Sequence, residues 1–196
     1  MIKYSGPKKI KAAVFISGTG SNLKNLIKFS KQRNFPISID LIISNNANAK
    51  GLSYASNFKI KKKIFNFSNK IIAEKKILSL LFKNKIRLIC LAGFMKILSK
   101  SFIQKFNGTI LNIHPSLLPK YKGLNTHRRA IENKDKFSGA TVHLVTPKLD
   151  SGKIILKKKV RILKADTEKT LAKKVLKIEH KLYPAAIEKF LKKSNL

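Results

Sequence analysis

The chain has 196 residues, 43% of them hydrophobic, which is enough for the core of one domain and argues against intrinsic disorder. Its formal charge of +34 comes from 43 Lys and Arg against 9 Asp and Glu. Charged residues such as Arg87 and Lys96 break the apolar runs well short of the roughly 20 residues a membrane span requires, so no membrane partner is expected.

The basic start, Lys8-Lys9-Ile10-Lys11 before the apolar residues 12–16, imitates a signal peptide, but its apolar part is too short and runs into a glycine turn. The first strand is expected at 12–16, with strands following at 37–43, 63–67, 87–91, 109–113 and 140–145. Stretches of helical period lie at 22–31, 49–57 and 70–84. This alternation predicts an α/β fold: an open, mostly parallel Rossmann-like sheet with helices on both faces, in one domain over 1–196. The runs 140–145 and 153–162, joined by a long loop, read as a strand pair appended to that sheet. Thr167 opens a last helix with Glu168 in its first turn and Leu171, Val175, Ile178 and Leu182 at helical spacing.

The lone cysteine, Cys90, lies in an apolar run and reads as a small buried hydrophobe, which suits a reducing cytoplasm. The basic residues are nearly all lysine, with arginine only at positions 33, 87, 128, 129 and 161, and aromatic residues are not interleaved with them. That distribution, running from Lys3 to Lys193, describes a solvated surface rather than a specific nucleic-acid partner. The field still raises the encounter rate of anionic substrates.

Three segments carry residues suited to chemistry. Ser17-Gly18-Thr19-Gly20-Ser21-Asn22 lies between the first strand and first helix, where glycines let backbone amides close on an anion and the helix dipole favours negative charge. It lacks the Gly-Lys-Ser/Thr of a Walker loop and the third glycine of a dinucleotide fingerprint. A plain strand-to-helix turn with Ser21 as N-cap fits the same residues.

Asn112-Ile113-His114-Pro115 ends the fifth strand. Positions two apart share a face, so Asn112 and His114 point together while Ile113 enters the core, and Pro115 keeps His114 extended. An amide donor and an imidazole at a strand's C-terminal end are placed to hold an oxyanion and move protons, unless His114 is a satisfied structural histidine. In Leu149-Asp150-Ser151-Gly152, Asp150 either serves that site or closes its own turn. His127 falls near a helix start, His180 on the last helix, and His143 in a strand facing either the site or the core. No spacing among them suits a metal, and no covalent nucleophile is marked.

Gly18-Thr19-Gly20-Ser21-Asn22-Leu23, then Leu91-Ala92-Gly93-Phe94-Met95-Lys96-Ile97-Leu98, then Asn112 to Gly123 in this order resemble the phosphoribosylglycinamide formyltransferases, folate-dependent one-carbon transferases of purine biosynthesis. Gly139-Ala140-Thr141-Val142-His143, Leu149-Asp150-Ser151-Gly152, Glu179-His180 and Tyr183-Pro184 continue the resemblance, which spans residues 10–190. It implies 10-formyltetrahydrofolate as co-substrate, glycinamide ribotide as acceptor, no metal, and a monomer or homodimer.

Residue by residue, the resemblance implies a catalytic trio of Asn112, His114 and Asp150, with Asp150 raising the pKa of the His114 imidazole. It implies ribotide binding by Gly20, Ser21, Asn22 and Glu179. Folate binding falls to Lys70, Met95, Lys96, Ile97, Leu98, Asn112, Thr146, Pro147, Lys148, Leu149 and Asp150. Lys70 stands where the family often has an arginine, and Leu176 where many members have a glutamine. Two relatives share the Asn/His strand end: methionyl-tRNA formyltransferase has a further C-terminal domain, and formyltetrahydrofolate deformylase a further N-terminal one. Neither is expected in 196 residues.

Overall fold

The computed structural model describes residues 9–193; Lys3 and Lys8, at the basic start, lie outside them. The chain divides into two compact units, one ending at Ile110 and the other beginning at Leu111, where the sequence suggested a single body.

The first unit is built from β1 (Ile10–Ile16), α1 (Ser21–Ser30), β2 (Ile37–Ser44), α2 (Leu52–Asn57), β3 (Lys61–Ile64), α3 (Lys70–Lys83), β4 (Leu88–Leu91) and α4 (Lys100–Lys105). β1 pairs in parallel with both β2 and β4, and β2 pairs in parallel with β3. Ala12 to Ile16 and Leu41 to Ile43 are fully buried, as strands covered on both faces must be. β3 is the edge. Its Lys-Lys-Lys-Ile run is exposed and charged, which discourages pairing with another chain. The sequence placed this strand at 63–67, but its partner β2 ends at Ser44, opposite Ile64, and beyond that the chain leaves the sheet. Phe67 instead packs edge-on against Phe94.

β5 (Thr109–His114) is followed by α5 (Thr126–Glu132), β6 (Phe137–Leu144), β7 (Ile154–Arg161) and α6 (Glu168–Lys193). β5 with β6 and β6 with β7 are antiparallel, the appended pair that the sequence suggested. The strand order of the seven-stranded sheet is β3-β2-β1-β4-β5-β6-β7.

α4 and α5 have six and seven residues, too short for apolar periodicity to declare them. The α4 cap is nonetheless defined: the Ser99 hydroxyl accepts the Phe102 N–H and donates to buried Glu74 of α3. α6 buries Leu171, Val175 and Leu182 as expected, but Glu179 takes the buried place while Ile178 is only half-buried. Within the same unit, the Tyr183 hydroxyl donates to the Leu111 carbonyl at 3.0 Å and pins α6 to β5 one residue before Asn112. No helix among the described residues is long and apolar enough to cross a membrane.

Candidate active site

The first unit builds its candidate site from backbone. Gly20, at φ 71°, is the N-cap of α1 and has no side-chain cap, so Ser21 is the first helical residue and not the cap. A Cβ on Gly20 would stand 2.6 Å from the Gly51 Cα, so glycine is demanded twice, by φ and by contact. The Gly51 N–H donates to the Gly18 carbonyl at 3.0 Å and closes the loop from the α2 side. The first rung of the helix ladder runs from Lys24 N–H to the Gly20 carbonyl, which leaves the amides of Ser21, Asn22 and Leu23 ahead of the ladder at the positive end of the dipole.

Ser17 is a hub that sequence reasoning passed over, although it stands first in the motif. Its N–H donates to the Gly93 carbonyl, and its hydroxyl donates to Asn45 and accepts the Met95 N–H at 2.8 Å. The Asn46 amide donates to its carbonyl. The glycine loop is thus tied to the segment after β4, where Met95, Lys96 and Ile97 are exposed. Leu98 is buried, so its side chain belongs to the core. Lys70 opens α3 just after Asn69, whose side chain caps the helix by accepting the Ile72 N–H.

The second unit builds its candidate site from side chains. Asn112 and His114 project from β5, and β6 places His143 directly opposite Asn112 and Thr141 opposite His114. Cross-strand partners share a face, which decides the open question of His143 in favour of the site. His143 Nδ1 donates to the Leu144 carbonyl at 2.8 Å, so in the neutral ring Nε2 is an acceptor; the Asn112 amide N–H meets it at 3.2 Å. The signal for His143 lay in Thr141-Val142-His143, where polar residues flank an apolar one at strand period.

Asp150 reaches the same point from the β6–β7 loop. One carboxylate oxygen lies 3.4 Å from His114 Nδ1 and the other 3.5 Å from His143 Nε2. The Gly123 N–H donates to it at 2.9 Å. None of these partners lies in its own turn, so the reading of Asp150 as a self-bonded turn residue is set aside. The loop needs Gly152 because any Cβ there would strike the Leu144 carbonyl oxygen. Thr146, Pro147, Lys148 and Leu149 precede Asp150 in this loop, the last three exposed.

The cluster is nearly dry. His114 is 6% exposed and the Asp150 side chain 7%. Burial lowers the His114 pKa below its ordinary 6.5; the Tyr121 carbonyl and Asp150 pull it up, while His143 and Arg129 add to the fall. Asp150 thus raises the pKa of this imidazole as expected, and desolvation outweighs it. His114 is neutral at pH 7. Its Nε2 donates to the Tyr121 carbonyl at 2.8 Å, so Nδ1 carries the lone pair toward the carboxylate. For Asp150, desolvation raises the pKa, but His143, the hydrogen bond from the Gly123 N–H and His114 together outweigh it, and the carboxyl lies below its ordinary 3.8. A proton arriving at Nδ1 meets a standing negative charge.

Glu179 is buried on α6, and His127 lies at the start of α5 as the sequence indicated. Among the described residues, no three His, Cys, Asp or Glu side chains are grouped to hold a metal ion.

A strand-end amide and imidazole with a carboxylate behind them, on a sheet of this order, mark an acyl-transfer enzyme. The chain belongs to the formyl transferase family, whose profile matches residues 10–187. Within the family it is similar to the phosphoribosylglycinamide formyltransferase of Haemophilus influenzae, at 44% identity over 92% of this chain and 86% of that one. It is also similar to the crystal structure of phosphoribosylglycinamide formyltransferase from Brucella melitensis, with 45% identity, a TM-score of 0.88, and coverage of 93% of this chain and 96% of that one. The human trifunctional purine biosynthetic protein adenosine-3 is 44% identical over 92% of this chain, which spans 18% of that longer protein.

Proposed function

We propose that this chain transfers the formyl group of 10-formyltetrahydrofolate to the amine of 5-phosphoribosylglycinamide, giving formylglycinamide ribotide and tetrahydrofolate in purine biosynthesis. The observation that carries the reading is the arrangement of half-buried Asn112 on His143 and of buried His114 beside Asp150, on a chain so similar to proteins named for this activity.

Attack of the neutral amine on the formyl carbon gives a tetrahedral centre with a negative oxygen and a positive nitrogen. The Asn112 amide, oriented by His143, donates to the oxygen. His114 Nδ1 takes the proton from the nitrogen, directly or through one water, and Asp150 holds the imidazolium while it lasts. The same proton then passes to the departing folate nitrogen. The amine loses one proton and the folate nitrogen gains one, so the transfer balances without a covalent enzyme intermediate. A histidine that is neutral at rest suits both steps, since it must accept before it donates.

The acceptor's phosphate docks on the amides of Gly20, Ser21 and Asn22, a reading supported by the glycine geometry and the helix N-terminus. Glu179 contacts the ribotide. Folate contacts are assigned to Met95, Lys96 and Ile97 and the Leu98 backbone in the first unit, and to Asn112 and the loop from Thr146 to Asp150 in the second. Lys70, a cation at a helix N-terminus, attracts its carboxylate tail, though without the planar fork of an arginine. The chemistry is carried by amide, imidazole and carboxylate, and its place is the cytoplasm, a reading that the buried Cys90 suits.

The test supplies 10-formyltetrahydrofolate with and without glycinamide ribotide and follows tetrahydrofolate release. Release is expected only with the ribotide; equal release without it would mark a hydrolase and overturn the proposal.

A further inference from the structure

His114 is not held by Asp150 alone. Its Nε2 donates to the main-chain carbonyl of Tyr121, a non-glycine residue in the left-handed region at φ 55°. Such a conformation persists only where the surroundings over-determine it, and here they do. The Tyr121 hydroxyl donates to Asp135 at 2.8 Å and accepts from the Asn133 amide at 3.1 Å. The Arg129 guanidinium lies 5.0 Å from the Tyr121 ring centroid while one of its N–H groups donates to the Lys122 carbonyl. On the other side, the Ser116 hydroxyl donates to the Lys120 carbonyl at 2.6 Å. The carbonyls of Lys120, Tyr121 and Lys122 are thus all engaged, and the phenol is anchored at the end of α5, away from the reacting atoms.

We propose that Tyr121 is a positioning residue for the His114 proton carrier. Its phenol, braced by Asp135 and Asn133, holds its carbonyl where it fixes His114 as the Nε2–H tautomer with Nδ1 toward Asp150. The proposal rests on the reading of His114 given above. Without the brace, the residue relaxes from φ 55°, the carbonyl turns away, and the imidazole samples the Nδ1–H tautomer, which cannot accept a proton on the working side. The hydrogen bond that the ring donates to this carbonyl also favours the protonated ring, so its loss lowers the His114 pKa further. The other groups facing this imidazole are Asp150, His143, Arg129 and, from the start of α5, His127. None of them is altered by the variants below.

The variants are Tyr121→Phe and Asp135→Ala, with Asp135→Asn as the conservative replacement, since its amide oxygen still accepts from the phenol. Lys120→Met is the control; it removes the Lys120 ammonium from Asp135 and from its place 5.9 Å from the Tyr121 ring centroid, and leaves the hydrogen bonds of the phenol in place. The first readout needs no substrate: nitrogen-15 NMR of the ring nitrogens of His114, assigned by comparison with His114→Ala, reports the tautomer. The expected result is mixed tautomers in Tyr121→Phe and Asp135→Ala, and the native tautomer in Asp135→Asn and Lys120→Met. Turnover should fall at least about tenfold in the first two with KM unchanged, as small misplacements of catalytic groups do, and the acidic limb of the pH–rate profile should move to lower pH. A native tautomer in both folded variants overturns the brace, whatever their turnover. A mixed tautomer with undiminished turnover supports the brace but overturns the role given to His114.

Discussion

Around Gly20 the molecule offers its backbone, and around His114 it offers its side chains. At the first, a left-handed residue and a close backbone approach leave no room for a β-carbon, and the proposed binding groups are backbone amides, which only proline could delete. At the second, four side chains meet within hydrogen-bonding or ion-pair distance, and burial lowers the His114 pKa. The backbone site is vulnerable to shape; the side-chain site is vulnerable to the loss of a group or a charge. A site for a permanently anionic phosphate needs only fixed dipoles, whereas a site that moves a proton needs groups with an adjustable proton affinity.

The largest effects should come from deleting groups at the side-chain site. Asn112→Ala and His114→Ala are each expected to lower turnover about 10²-fold or more, through loss of the oxyanion donor and of the proton carrier respectively. Circular dichroism should show both folded. Near-native turnover in folded His114→Ala would end the assignment of that residue.

Asp150→Asn comes next and changes a charge without changing shape. Turnover should fall roughly tenfold or more, because the imidazolium loses its counter-charge. The direction of the pH effect follows from the sign of the interaction: Asp150 raises the His114 pKa, so its removal lowers it, and the acidic limb of the profile moves to lower pH. An unmoved limb with unchanged turnover would return Asp150 to a structural role.

How far each site was legible follows from how it is built. Asn112 and His114 could be read together because strand period puts them on one face, and Gly20 because only a tight turn explains its neighbours. The strands were found nearly to their ends, except β3, whose end is set by where β2 stops. His143 remained undecided because its orientation depends on the β5–β6 register, which no single strand contains. The roles of Ser17 and Gly51 could not be read because their partners, Met95 and Gly18, are distant in the chain. The raising effect of Asp150 on His114 was legible because the carboxylate stands in the sequence, whereas the burial that outweighs it does not.

At the backbone site, Gly20→Ala tests shape. Its β-carbon would meet Gly51, and its φ of 71° is unfavourable for alanine, so stability should fall by ~1–3 kcal/mol. The ribotide KM should rise while the folate KM holds. Gly18→Ala is the matched control, because a β-carbon there meets nothing within 4 Å. Equal rises in both KM values for Gly20→Ala would mean a distorted unit rather than a damaged phosphate cradle.

The smallest effect concerns stability in mild acid, where burial of histidines carries the contrast between the sites beyond catalysis. His114, His127 and His180 all lie below 6.5, in each case first because of burial. Each binds its proton more readily in the unfolded chain, so its contribution is intact above pH 6.5 and lost progressively as pH falls from there toward its folded value. Asp150, below 3.8, adds stability that is complete above that value and disappears as pH falls through its own folded pKa. Chemical denaturation followed from pH 7.5 to 3 should therefore show two declines, an early one from the histidines and a later one from carboxylates. His180→Gln, on α6, should shallow the first and spare the second. A stability flat between pH 6.5 and 5 in the parent chain would mean that these imidazoles are not held neutral by burial, and the neutral resting state of His114 would fall with it.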